Sequence, residues 1–564
     1  MTLSKYVLSG VPSLKRPRSS FNLSHSIKGT IDVGTLVPID VIEVLPGDTF
    51  KADPRIVLRV TSSFQKPVID NLFLDVYHFF VPNRLVIGWE RIMGESDRAW
   101  APSRTWSVPL MLFNTSSYFN SSPKTVASAF GLPQSSKPSS GASTVSVLPF
   151  RAFAKIYDDW FRDENLIDPM DVQKGFVAGG NEKINTKPWS PTNYTGLLPK
   201  VSKLHDIFTA SLPAPQKGNA IEVPLGTLSN VPVVTRDELN ANDGAPIIFR
   251  RSDGSGGVFD GGYLPLGVYG DNAPAGEGVP GSIAPANGTA VPREPGAMLT
   301  PVNLYTDDAY LGSISINDLR YAFQLQKIEE TFARNGSRYV EMLQSFFGVT
   351  SPDARLQRSE FLGGNRVPVS VFQTTQTAPG ASETETPLAS VAGWSSTFGS
   401  SRFVKSFTEH GYVISVACIR QIHSYQQGIP KLFQRSSQYD FYLPTLANIG
   451  EQPIMTRELY YMSPANQVFG YNEAWVHYRS LPNKVCGALN STSGSGLDIW
   501  HFGDNYSTMP ILSKDFVEET PVYVDRTLTV SSTVESQFFF DCFYKLKATR
   551  VMPTYSVPGL IDHH

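Results

Sequence analysis

Residues 70–82, DNLFLDVYHFFVP, restrict the fold of this chain more than any other segment. In an extended strand successive side chains point to opposite faces. Leu72, Leu74, Val76, His78 and Phe80 therefore share one face, and Phe73, Asp75, Tyr77 and Phe79 the other. Both faces are apolar enough to need cover, which predicts a strand buried on both sides, or on one side with an interface on the other. Segments of the same kind lie toward both ends of the chain. IDVGTLVPIDVIEVLPGDTF closes on the turn Pro46-Gly47-Asp48, with IVLRVTSSF after it. GYVISVACIRQIHSY, LYYMSPANQVFGYNEAWVHYR and SQFFFDCFYKLKATR resume the pattern after Phe403. No repeat of fixed period is present. Strands at both ends, with large insertions between them, suit one antiparallel barrel or sandwich whose first and last strands pair.

Composition supports that class. Charged residues are 18%, aromatics 12%, and Gly plus Pro 86 of 564 residues, which favours a loop-rich β protein. The three cysteines, Cys418, Cys486 and Cys542, have neither a CxxC spacing nor a Cys/His cluster around them, which predicts a reducing compartment and no zinc site. Neither a secretory signal nor a run of about 18 apolar residues occurs, so a soluble chain made in the cytoplasm is expected, with no membrane insertion. Sequons such as those at Asn114, Asn193 and Asn335 then need no glycan. The formal charge of -3 is wrong for a protein that coats nucleic acid unaided.

Between the β ends the character changes. Residues 1–20 carry Lys5, Lys15, Arg16 and Arg18 among small residues and are read as an extended arm, either solvated or touching phosphates through Lys15, Arg16 and Arg18. Residues 103–141 read as Ser/Pro-rich loops. In LPFRAFAKIYDDWFRDENL, Phe150, Phe153, Ile156, Tyr157, Trp160 and Phe161 recur at three- and four-residue steps and predict a helix. A second helix is predicted over LRYAFQLQKIEETFARN, with Asn317 as its cap, Gly336 as its end and Phe323, Ile328 and Phe332 as packing residues; a short helix over RYVEMLQSFF follows. Residues 251–300 hold 12 Gly and 6 Pro, which makes a helix or central strand improbable. Phe259, Tyr263, Leu266 and Tyr269 nevertheless give this stretch apolar anchors that a linker would lack, so it reads as a displayed excursion.

Several spans imitate catalytic motifs. Gly276-Glu-Gly278-Val-Pro-Gly281 fits GxGxxG, but no strand precedes it and Pro280 stands where a helix would open. Gly254-Ser255-Gly256-Gly257 lacks the strand context of a protease loop. Asp158 and Asp159 are sequence neighbours on one helix and diverge, so they are read as a solvated edge, as are Glu329 and Glu330. The nine histidines are scattered and are read as structural. No catalytic residue, cofactor or metal is expected.

A collinear set of motifs resembles the major capsid protein of the gokushoviruses, small single-stranded-DNA phages of the microvirus group. It includes Phe21-Asn-Leu-Ser24-His25, Leu45-Pro46-Gly47-Asp48, Phe79-Phe80-Val81-Pro82-Asn83-Arg84, Leu148-Pro149-Phe150-Arg151-Ala152, Asp159-Trp160-Phe161-Arg162, Leu212-Pro213-Ala214-Pro215-Gln216-Lys217-Gly218, Ser351-Pro352-Asp353-Ala354-Arg355, Phe469-Gly470-Tyr471-Asn472-Glu473-Ala474-Trp475 and Pro558-Gly559-Leu560-Ile561-Asp562-His563. Residues from about Thr227 to Thr300 depart from it. The resemblance implies an eight-stranded antiparallel jelly-roll barrel with large helical and loop insertions, occupying 21–564 as one domain. It also implies self-assembly into the simplest (T=1) icosahedral shell, with 227–300 as a threefold protrusion. The apolar anchors Phe259, Tyr263, Leu266 and Tyr269 are then expected as contacts between symmetry-related copies, and the exposure of this span and its departure from the family pattern point to host attachment. The partners expected are further copies of the chain, the single-stranded DNA genome, a scaffolding protein, a host surface receptor and, because a shell of charge -3 per copy does not neutralise the genome in bulk, a small basic packaging protein, in a virion assembled in the bacterial cytoplasm. Phe79, Phe80, Arg84, Trp89 and Trp160 are candidate subunit contacts, each equally compatible with core packing. A second reading, from another class, is a soluble carbohydrate-binding β-sandwich or glycosidase, which needs an aromatic platform or two converging carboxylates.

Overall fold

The structure is a computed structural model that describes residues 17–93, 106–112, 124–133, 144–179, 182–218, 221, 316–375 and 391–555, with short strands between 233 and 306 described as backbone. The chain forms two compact units, Met1–Lys217 with Glu330–His564, and Gly218–Glu329.

In the larger unit the strands used below are β1 (Ser19–Asn22), β2 (His25–Ile31), β3 (Val37–Val44), β4 (Thr49–Val60), β5 (Leu72–Pro82), β6 (Glu360–Pro368), β7 (Val371–Thr375), β8 (Val391–Ser400), β9 (Phe403–Ser406), β10 (Gly411–Gln421), β11 (Glu451–Met455), β12 (Val468–Glu473) and β13 (Phe538–Arg550). A seven-stranded antiparallel sheet runs β1-β13-β4-β8-β7, with β2 also on β13 and β9 on β4; a four-stranded sheet runs β6-β5-β10-β3. The predicted pairing of the chain's first and last strands holds: His25 to Ile31 run antiparallel to Tyr544 to Phe538. The chain is mainly β and antiparallel. Strands β1 and β2 are not evident from the sequence pattern, because the alternation of Phe21, Leu23 and Ile27 is diluted by small polar residues.

The two sheets bury patterns of different kinds. In β13 buried and exposed residues alternate strictly from Phe538 to Ala548, so this sheet has one core face and one free face. In β5 and β10 nearly every residue is buried. Leu72, Leu74, Val76 and Phe80 join the core shared with β4 and β13, whereas Phe79 joins a second core beneath helix α1 (Leu148–Trp160). Of the two options left open for β5, burial on both sides is the one observed. Helix α1 forms as its spacing predicts, and Phe150, Phe153, Ile156 and Tyr157 are each at most 2% exposed.

Helix α2 (Ile316–Asn335) ends at Gly336, whose φ of 90° is left-handed, and α3 (Tyr339–Phe347) follows. Asn317 lies inside the first turn of α2 rather than at its cap. Among the described residues Phe323 is 64% and Ile328 37% exposed, so their packing role is corrected, whereas Phe332 packs as expected, its ring 5.2 Å from that of Phe346: periodicity marks an apolar face without specifying what covers it. In the unit Gly218–Glu329 a four-stranded antiparallel sheet runs Ile283–Pro285, Leu264–Val268, Ile248–Arg251, Leu299–Pro301. Strands therefore do occur within 251–300. They are three to five residues each, and Leu264–Val268 itself contains Pro265 and Gly267 while two others end on Pro285 and Pro301, so Gly and Pro keep these strands short without excluding them.

Candidate assembly surfaces and buried polar clusters

The free face of the seven-stranded sheet is fixed by register. Across β13 and β4, Phe539 stands opposite Arg59, Asp541 opposite Val57, Phe543 opposite Arg55, Lys545 opposite Asp53 and Lys547 opposite Lys51. Lys28 of β2 faces Asp541, and Phe398 of β8 faces Val57. The side chains of Phe398, Phe539 and Phe543 are 60%, 40% and 46% exposed. With Arg402, which lines the same groove as Lys51 and Lys545, the face carries seven cations against two carboxylates, a net charge of +5 in a chain of net charge -3. Arg55 pairs with Asp53 at 3.3 Å. Among the described residues no carboxylate lies within ion-pair distance of Lys51, Arg59, Lys545 or Lys547.

A second surface belongs to the loops around β11 and β12. The ring of Tyr442 lies 5.6 Å from that of Trp475 and 6.2 Å from that of Tyr478, and the Arg435 guanidinium stacks 4.3 Å from the Tyr478 centroid. Phe441, Tyr442 and Tyr478 are about half exposed, and Phe433 and Tyr439 more than two-thirds. Aromatic rings and arginine exposed together are the composition of an interface centre, since they give large rigid contact area with little entropy to lose.

Buried charge is organised separately. His423 Nδ1 lies 2.7 Å from Asp504 and Nε2 3.1 Å from Glu519, while Lys203 and Tyr506 donate to the other Asp504 oxygen. Burial alone would lower the His423 pKa. The two carboxylates outweigh it and raise it to about 9. Burial would raise the pKa of Asp504, but Lys203 and His423 bring it down to about 2. With both ring nitrogens donating to carboxylates, His423 is an imidazolium with no lone pair to accept a proton, so the group is a neutral structural cluster rather than a general base. Arg151, fully buried on α1, donates to both oxygens of Glu182 and to the carbonyls of Val86 and Gly175. Cys418 and Cys542 are buried, and burial pushes each thiol up to about 12, which leaves them inert at neutral pH.

The sequence profile of the family described as "Capsid protein (F protein)" matches residues 9–560. The chain belongs to this phage capsid family. It is 36% identical over 557 residues to the capsid protein VP1 of Spiroplasma virus 4, covering 96% of this chain and 95% of that protein. It is 34% identical to the capsid protein VP1 of Bdellovibrio phage phiMH2K (97% and 96% covered) and to that of Chlamydia phage 1 (99% and 98%). The gokushovirus resemblance read from the motifs is thus correct, and a major capsid protein replaces the carbohydrate-binding or glycosidase alternative. Among the described residues of this capsid subunit no helix is long and apolar enough to cross a membrane.

The sequence-derived candidates fall in different places. Lys15 and Arg16 lie outside the described residues. Arg18 is exposed beside β1 and donates to the Gly47 carbonyl and, at 3.3 Å, to Thr49 Oγ1. Phe259, Tyr263 and Tyr269 also lie outside, and of Leu266 only the backbone, paired with Pro285, is described. Phe79 and Phe80 are each 2% exposed and pack inside the subunit. Arg84, partly exposed, donates to Glu409 at 2.7 Å and also to Gln357. Trp89 is half-buried against His410, and Trp160 donates to Ser359 under the Arg358 guanidinium, 3.7 Å above its ring. Asp158 and Asp159 are not a solvated edge. Asp158 accepts from Arg162 and the Met170 amide, and Asp159 from Lys155, the Ser359 amide and the Ser359 hydroxyl, because other loops cover the last turn of α1. Sequence reasoning singles out neither exposed surface. For the sheet face the signal is present, as the alternation FFFDCFYKLK places Phe539, Phe543, Lys545 and Lys547 on one side.

Proposed function

We propose that this capsid chain builds an icosahedral shell of identical copies around a single-stranded DNA genome, using an eight-stranded jelly roll as the shell's wall. Taken in chain order as β2, β3, β4, β5, β6, β8 with β9, β10 and β13, eight strands divide evenly between two sheets, β2-β13-β4-β8/β9 and β6-β5-β10-β3. In chain order the first four strands alternate between the two sheets one by one, and the last four do the same in the opposite phase, which supports the jelly-roll reading. The observation that carries self-assembly is the exposed cluster of Phe441, Tyr442, Tyr478 and Arg435 in a capsid-family chain, a surface whose burial needs another copy. Changing Tyr442 and Tyr478 to Asp is expected to abolish particles in electron micrographs while circular dichroism stays that of the folded chain. Particles of unchanged yield would reject this surface as a subunit contact.

The finer parts of the reading rest on chemistry. The unit Gly218–Glu329 contains all of 227–300, the span that departs from the family pattern, and this supports a protrusion around the threefold axes used for attachment to a host receptor. A subunit of net charge -3 does not neutralise a genome in bulk, which supports a small basic packaging protein, with the arm residues Lys15, Arg16 and Arg18 as local contacts. Scaffolding during assembly in the bacterial cytoplasm belongs to the same reading.

A further inference from the structure

We propose that the free face of the seven-stranded sheet is a binding site for single-stranded DNA, with phosphates held by Lys51, Arg55, Arg59, Lys545 and Lys547 and bases stacked on Phe398, Phe539 and Phe543. This assigns a site to the genome-enclosing reading, on which it rests, and directs that sheet toward the interior of the shell.

Three observations carry it. The face holds a net charge of +5 while the whole chain is acidic, so the cations have been gathered rather than scattered. Lys547 stands directly opposite Lys51, with Lys545 next on the same side. Like charges directly opposite across a sheet are destabilising, and an anion between them removes that cost. The phenylalanines sit in the rows between the cations, with Phe539 opposite Arg59 and Phe543 opposite Arg55, and all three are exposed. Unpaired bases present π faces to such rings, whereas a duplex hides its bases and offers only phosphate. A second copy of this face would repel it, and an acidic protein gives no reason for the exposed rings.

The test uses the full-length chain with a fluorescent oligothymidylate and a duplex of equal length, titrated by anisotropy at several salt concentrations. Replacing Lys51, Lys545 and Lys547 by Gln should weaken oligothymidylate binding at least tenfold and flatten its salt dependence. Phe539→Ala with Phe543→Ala should weaken it at least tenfold with the salt dependence kept, and should leave duplex binding unchanged. Equal affinity in both variants overturns the proposal. A loss confined to the lysine variant also overturns it, because the rings then do nothing. Ultraviolet cross-linking of wild-type particles gives a readout free of mutant folding: adducts should fall on peptides containing Phe398, Phe539 or Phe543, and adducts found only elsewhere refute the site. Particles without nucleic acid would instead refute genome enclosure, while the anisotropy experiment would still judge the sheet face.

Discussion

His423 and His78 are both buried, and their charges differ because of what faces each ring. His78 meets only the hydroxyls of Ser415 and Ser401, so burial lowers its pKa to about 3 and it stays neutral. His423 meets Asp504 and Glu519 and stays charged to a pKa of about 9. A histidine whose folded pKa is raised adds stability that is complete below its unfolded value, near 6.5, and is lost as pH rises through about 9. That contribution is on the order of 3 kcal/mol. Urea unfolding of the subunit at pH 6 and pH 9.5 is therefore expected to show a loss on the alkaline side, and His423→Asn should flatten it. An unchanged alkaline slope in the variant would remove His423 as its source. Spacing could not find this cluster, because Lys203, His423, Asp504 and Glu519 meet only through the fold.

At the scale of elements, α1 is where local pattern and tertiary support coincide. Its aromatic period predicts the helix and its buried face, and Phe150, Phe153, Ile156 and Tyr157 fill the core beneath the four-stranded sheet as expected. Arg151 on the same helix breaks the pattern with a charge at 0% exposure, compensated by Glu182 and backbone carbonyls. Removing one member of a buried pair leaves the other uncompensated, so Arg151→Ala should cost about 3–5 kcal/mol of unfolding free energy. Arg151→Met combined with Glu182→Met should recover most of that loss; equal losses in the two variants would show that packing, not charge, dominates. In β13 the alternation by itself specifies the core face, since a one-residue slip would expose Phe538, Phe540 and Cys542. In α2 the same kind of inference fails at Phe323, because amphipathicity specifies a face to be covered and not the molecule that covers it.

At the scale of the whole molecule, the proposed protrusion and the unit that carries the seven- and four-stranded sheets have separate roles. Exchanging 227–300 for the corresponding span of a relative is expected to move adsorption to the relative's host with particle yield preserved. Unaltered adsorption, measured by depletion of free phage, would count against attachment through this span. Loops grafted on a rigid sheet scaffold tolerate such exchanges because they carry few of the core contacts.

Composition and periodicity by themselves determined that the chain is mainly β, that its two ends pair and that α1 is helical. All of these follow from local alternation and from the need to hide apolar faces. Motif order determined the capsid family. The tertiary structure alone decided that β5 is covered on both sides, that Phe79 and Phe80 belong to two different cores of one subunit, and that Asp159 is tied to Ser359. It also decided that the cations and rings of β4, β8 and β13 form a single face. Each of these depends on which distant strand lies alongside, and side-chain period carries no record of the partner across the ladder.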